Sequence, residues 1–195
     1  MFTEDYLMRI INQAIAALLN AVGLRKAGKY SEAHQAIEQA IEQVTTLPAS
    51  VVDQMDDAGL LSMLTTNGQL DIGRLAILAD LCREQGEILF KMDQSVQSSN
   101  AFSRALRFIL EVALSEDASL SNENIGKVEV LVQRLGGCAL PVETQLALSD
   151  YYCRLLEKDD HSLVATGTSR EQVSQLLANL QAQLDPSQYT TGKYS

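Results

Sequence analysis

Residues able to do chemistry are few and scattered in this 195-residue chain. Its two histidines, His34 and His161, fall on a predicted helix and a predicted loop. A histidine-based site would need folding to bring a cysteine or carboxylate to one of them. His34 reads as a solvated neighbour of core-facing Ala33. Asp53, Asp56 and Asp57 ahead of Gly59 resemble a calcium loop, but Met55 stands where the next oxygen ligand belongs and the glycine comes one place late. These acids suit helix N-caps, where a carboxylate accepts orphan N–H groups at the positive helix end. Asp159-Asp160-His161 lacks a second ligand cluster and reads as a solvated loop.

Cys82, Cys138 and Cys153 are an odd set without a C-x-x-C pair, which implies reduced thiols. Cys82 and Cys153 are expected as small buried hydrophobes and Cys138, after two glycines, as the exposed thiol. No glycine-rich phosphate loop, His-Glu-x-x-His helix or Gly-x-Ser-x-Gly elbow occurs. The expectation is a non-catalytic protein with no cofactor and no metal.

A hydrophobic share of 46%, 21% charged residues, no Trp and 3 Pro fit a globular, helix-rich chain. The net charge of −10 repels nucleic acid and anionic membrane surfaces, so neither is an expected partner. No apolar run is read as approaching the roughly 18–20 residues that span a bilayer, and Glu4 and Asp5 stand where a secretory signal would be basic. The expected location is cytoplasmic.

Apolar periodicity places the elements. Leu7, Ile10, Ile11, Ala14, Leu18 and Val22 mark a helix over 4–26, ended by Gly28. Ser31 is predicted to cap a second helix carrying Ala33, Ile37, Ala40, Ile41 and Val44, antiparallel to the first. An insert over 47–70 holds a short helix with Leu60, Leu61 and Leu64, ended by Asn67-Gly68. Asp71 caps a long helix with an internal Gly86, and residues 96–114 form its partner. Ser121, Pro141 and a Thr168/Glu171 capping box open three further helices, whose apolar sides include Leu146, Leu155 and Leu176. The fold class is therefore all-α, with about seven to eight helices. Residues 1–184 are expected as a single domain with an irregular helical end over 121–184, and 185–195 as a polar tail.

Sliding the chain by 65 residues pairs Ala21 with Gly86, Ala33 with Ser98, Ile37 with Phe102 and Ala40 with Ala105. Small residues in such pairs let helix backbones approach where they cross. Gly28-Lys29-Tyr30-Ser31-Glu32-Ala33 with Ile37 and Ala40 resembles the turn and second helix of a tetratricopeptide repeat, and Gly86, Ser98, Phe102 and Ala105 resemble a more degenerate copy. The units would be 4–46 and 71–114, with Asp93 and Ser95 replacing the usual turn Gly and Tyr. Nearly the full chain is also similar to a bacterial family of uncharacterised tetratricopeptide-like proteins, from its Met1-Phe2 start through Asp71-Ile72 to Leu140-Pro141.

The resemblance implies an α–α superhelix of helical hairpins whose first helices line a groove. Here that face would carry Ile15, Leu18, Val22, Arg25 and Lys26, then Asp80, Arg83, Glu87, Phe90 and Lys91. Its first half is apolar enough to need cover, from the insert or from a second copy of the protein. The expected role is a protein-interaction module taking a protein or peptide, with a homodimer as one form. The alternative is an intracellular sensor binding a peptide or small molecule in the groove.

Overall fold

The computed structural model describes residues 2–115, 120–158, 163 and 167–184. The fold is all-α. Among the described residues, nine helices run in order: α1 (Phe2–Lys26), α2 (Tyr30–Thr45), α3 (Ala49–Gln54), α4 (Asp57–Met63), α5 (Ile72–Lys91), α6 (Ser95–Ser115), α7 (Asn122–Arg134), α8 (Val142–Leu156) and α9 (Arg170–Leu184). Three expected caps form, each a side-chain oxygen accepting a first-turn N–H: Asp56 from Gly59, Asp71 from Arg74 and Ser121 from Asn124. Two others differ. α2 begins at Tyr30 directly after the Gly28 turn, so Ser31 lies inside its first turn. The last capping box is one residue later than predicted. The Ser169 hydroxyl accepts from the Gln172 amide at 3.2 Å, and the Gln172 side chain accepts from the Ser169 amide at 2.9 Å.

α1 and α2 pack together, as do α5 and α6, and α5 lies against both α1 and α2. The same turn joins the two pairs, 65 residues apart. The Lys29 amide donates to the Leu24 carbonyl at 2.9 Å and the Gln94 amide to the Leu89 carbonyl at 3.0 Å. Gly28 (φ 76°) and Asp93 (φ 59°) take the left-handed position between them; a short Asp tolerates that region where most residues do not. Gly86 has the steric reason its helix-interior position demands. A Cβ there would lie 2.6 Å from Cδ1 and Cε1 of Phe102, and the Ser98 hydroxyl donates to the Gly86 carbonyl at 2.8 Å.

The insert contains two short helices, α3 and α4, and a hairpin of β1 (Thr65–Thr66) and β2 (Gln69–Leu70), antiparallel with Thr65 opposite Leu70. Asn67 and Gly68, both at positive φ, make its two-residue turn. One guanidinium ties this segment down: Arg104 of α6 donates to Asp57 Oδ1 at 2.9 Å and to the Val52 and Met55 carbonyls at 3.1 and 2.7 Å. Arg74 of α5 likewise holds the Val44 carbonyl at the end of α2, and Arg154 of α8 holds the Leu114 carbonyl at the end of α6. Carbonyls in the last turn of a helix have no intrahelical partner, so cations from neighbouring helices satisfy them.

α6 carries α7 and α8 on its flank, and α9 packs on α8. α8 buries Thr144, Ala147, Leu148, Tyr151, Tyr152 and Leu155. Cys153 points away from the stripe of Leu148, Tyr151, Tyr152 and Leu155 and is exposed, which corrects its expected burial. Leu146 and Leu176, expected in the core, are also exposed. Cys82 is buried on α5, and burial pushes its thiol up to about 12, an inert group. The residues His161, Asp159 and Asp160 and the expected 185–195 tail lie outside the described residues.

Replacing Gly86 with Leu is expected to destabilise the fold by about 1–3 kcal/mol through overpacking against Phe102. Urea unfolding of the variant checks this, and unchanged stability would refute the α5–α6 register.

Candidate functional site

The face expected to bind a partner begins on α1. This helix reaches the core through Ile10, Ala14 and Ala21. Two of these are alanines, which lets α1 lie close to α2 and α5. At 100° per residue the opposite side is the stripe holding Met8, Ile15 and Leu19. These side chains are 56%, 38% and 67% exposed. Leu18 and Val22 are half-buried on the flank, and Lys26 is exposed.

One sequence expectation is corrected here. Asp5–Lys26 contains an 18-residue window of mean hydropathy 1.5, so by length and composition this helix is long and apolar enough to cross a membrane. Asn12, Gln13 and Asn20 interrupt the run, but they carry no charge and lower the average only modestly. Only 17% of that window is fully buried; Ala17, Leu18 and Leu24 pack partly against the core, and Met8, Ile15 and Leu19 are left uncovered. The insert does not cover it, because Leu60 and Leu64 are buried and Arg104 holds the segment on α6.

The α5 part of the face is occupied by its own neighbours. Glu84, 1% exposed, receives Arg25 of α1 through Nε at 2.5 Å and Nη2 at 3.2 Å. This hydrogen bond raises the Arg25 guanidinium further above its ordinary value, with burial opposing. Asp80 accepts from Lys127 of α7 at 3.0 Å, with Arg83 alongside at 3.9 Å. One heptad on, Glu87 accepts from Arg134 at 2.9 Å, and that guanidinium lies 6.0 Å from the exposed Phe90 ring. Burial pulls the Lys127 ammonium down, but Asp80 and Glu123 outweigh it and hold it above its usual value. Lys91 remains exposed.

The expected surface thus divides. Arg25, Asp80 and Glu87 make internal ties; Ile15 and Lys26 face outward with Met8 and Leu19, which the sequence reading did not single out. It also omitted Glu84, Lys127 and Arg134. The seven-residue spacing of Lys127 and Arg134, matching that of Asp80 and Glu87, was the available signal.

On another side, His34 of α2, Gln85 of α5, and Gln97, Asn100, Ser103 and Arg104 of α6 line a cleft of about 500 Å³. The Ser103 hydroxyl is buried without a hydrogen-bond partner among the described residues. His34 Nδ1 lies 3.6 Å from Glu38, so it is half-shielded where full solvation was expected. Among the described residues no group of three or more His, Cys, Asp or Glu comes together as a metal site. On α7, Glu129 Oε1 is buried and unpartnered among the described residues, and burial pushes its carboxyl up. Burial, with the Glu129 charge nearby, also pushes the Tyr151 and Tyr152 phenols upward.

Removing Arg25 strands a buried carboxylate, so Arg25→Met is expected to cost about 3–5 kcal/mol. Adding Glu84→Leu removes the orphaned charge and should recover most of that loss in denaturant unfolding. Glu129 behaves oppositely. Its folded pKa exceeds the unfolded one, so the native state holds the extra proton and stability falls as pH rises between the two values. Glu129→Gln is therefore expected to raise Tm at pH 7 and to lose that advantage toward pH 4, as read by thermal melts across pH.

No curated protein and no solved structure matches this chain. A family model matches residues 1–185, almost the whole chain, and by it the protein belongs to DUF6483, a family of unknown function.

Proposed function

We propose that this chain is a non-catalytic, tetratricopeptide-like helical module that docks a protein through the outer side of α1 in the cytoplasm. One observation carries the reading: Met8, Ile15 and Leu19 stand exposed on the side of α1 opposite its core residues. Large apolar side chains repeated along one helix face form a patch of the kind that marks an interaction site. The recurrence of one turn 65 residues apart supports the repeat character. The pairing of Asp80, Glu84 and Glu87 with cations of the chain directs a partner to α1 and away from the α5 charges.

A second reading, a sensor, is favoured by the cleft between α2, α5 and α6, which Gln85, Gln97 and Asn100 line together with Ser103, whose hydroxyl is buried without a partner among the described residues. A small polar ligand there would find donors and acceptors without displacing core contacts.

Ile15→Glu with Leu19→Glu separates the two. Both positions are exposed, so stability should change by no more than about 0.5 kcal/mol, while cross-linking to a polypeptide from a photo-reactive side chain at position 8 should be lost. An undiminished adduct would overturn the docking role of α1. A ligand-induced rise in Tm unaffected by these substitutions would establish the cleft reading instead.

A further inference from the structure

We propose that the occupant of the α1 face is α1 of a second copy of this chain, packed antiparallel across a two-fold axis. The proposal rests on the reading of α1 as a docking surface and names its partner.

The first argument is spacing. Asp5, Met8, Asn12, Ile15, Leu19, Val22 and Lys26 follow one another at alternating intervals of three and four residues, the seam of a coiled coil. All are exposed except Val22, which is half-buried. The seam therefore lies free along the whole helix, while Ile10, Ala14 and Ala21 hold the opposite side to the core.

The second argument is charge. The seam is apolar between Ile15 and Val22, and it opens with an acid and closes with a base. Among the described residues neither Asp5 nor Lys26 makes an ion pair. A parallel pair would set Asp5 against Asp5 and Lys26 against Lys26. An antiparallel pair crossing at Ile15, midway between Asp5 and Lys26, sets Asp5 of one copy opposite Lys26 in the last turn of its mate. A two-fold axis satisfies both ends at once, because an isologous contact repeats every interaction.

The third argument is area and solvent. A 25-residue helix is about 37 Å long, and two such helices joined along one seam bury on the order of 1,000 Å² in total, the lower end of specific interfaces. The dimer is therefore reversible and concentration-dependent. A lipid surface suits the face less well, because the −10 chain is repelled by anionic headgroups.

The test uses the full chain. Size-exclusion chromatography with light scattering should show the mass rise from monomer to dimer with concentration. Leu19→Glu should weaken the dimer by about tenfold or more without lowering Tm. Asp5→Lys or Lys26→Asp alone should weaken it, and the two together should restore it, since the charges then oppose one another again. A monomer at every concentration, or a dimer indifferent to Leu19→Glu, overturns the proposal; a dimer indifferent to the charge reversals overturns the antiparallel arrangement. A photo-reactive side chain in place of Met8 distinguishes the two levels of failure. An adduct to an α1 peptide of the same sequence supports the dimer. An adduct to another protein overturns the dimer and leaves the docking role standing. Labelling only in phosphatidylglycerol vesicles, or no adduct at all, overturns both.

Discussion

A carboxylate with almost no access to water determines how the helices around α5 are arranged. Glu84 sits in a helix whose neighbours Leu81, Cys82, Gln85, Gly86 and Ile88 are all buried. An ionised group there must have a cation, because desolvation costs several kcal/mol unless charge and hydrogen bonds replace the lost water. Arg25 supplies both through two N–H donors from the last turn of α1. Once that contact and the Ala14 and Ala21 crossings are made, the rotation of α1 about its axis is fixed, and Met8, Ile15 and Leu19 have no direction left but outward. Asp80 and Glu87 lie on the same stripe of α5 as Glu84, at intervals of four and three, and draw Lys127 and Arg134 of α7. Half-buried ion pairs that water still reaches contribute little energy singly, but they fix which side of α5 faces α7.

The glycine on α5 sets the other crossing. With Phe102 pressed onto the Gly86 backbone and Ser98 bonded to its carbonyl, α6 can come no closer and slide no further. Polar anchoring on one stripe and a steric stop on another make α5 the element against which α1, α2 and α6 are placed. The exposed face of α1 is in this sense a by-product of the contacts made on its opposite side.

Much of this was legible in the sequence, and the reasons differ by element. Apolar spacing located the long helices because their core stripes are continuous, and Asp71 and Ser121 marked starts because only short polar side chains reach back to orphan N–H groups. The 65-residue offset accounts for Gly86 from sequence alone, since a glycine inside a helix needs a close neighbour. The capping box was displaced by one residue because Thr168 and Ser169 are both competent caps, and only the Ser169 carbonyl accepts the first helical bond, from Val173. The hairpin of the insert escaped notice because two residues per strand carry no periodicity. The placement of the candidate surface shows the same limit. A helical face can be read from spacing, but whether Asp80 and Glu87 look outward depends on α7, which lies far away in sequence and joins them only through folding.

The guanidinium contacts to helix ends carry a further implication for how the molecule comes apart. In an ideal solenoid each repeat touches only its neighbours, so a frayed unit can peel away while the rest persists. Here the end of α2 is closed by a residue of α5, the end of α3 by one of α6, and the end of α6 by one of α8. Lifting any hairpin out exposes carbonyls belonging to a different one. Local openings are thereby penalised relative to global unfolding, which merges what would be separate cooperative units into one. A chain assembled from modest helices thus behaves thermodynamically more like a globule than like a stack.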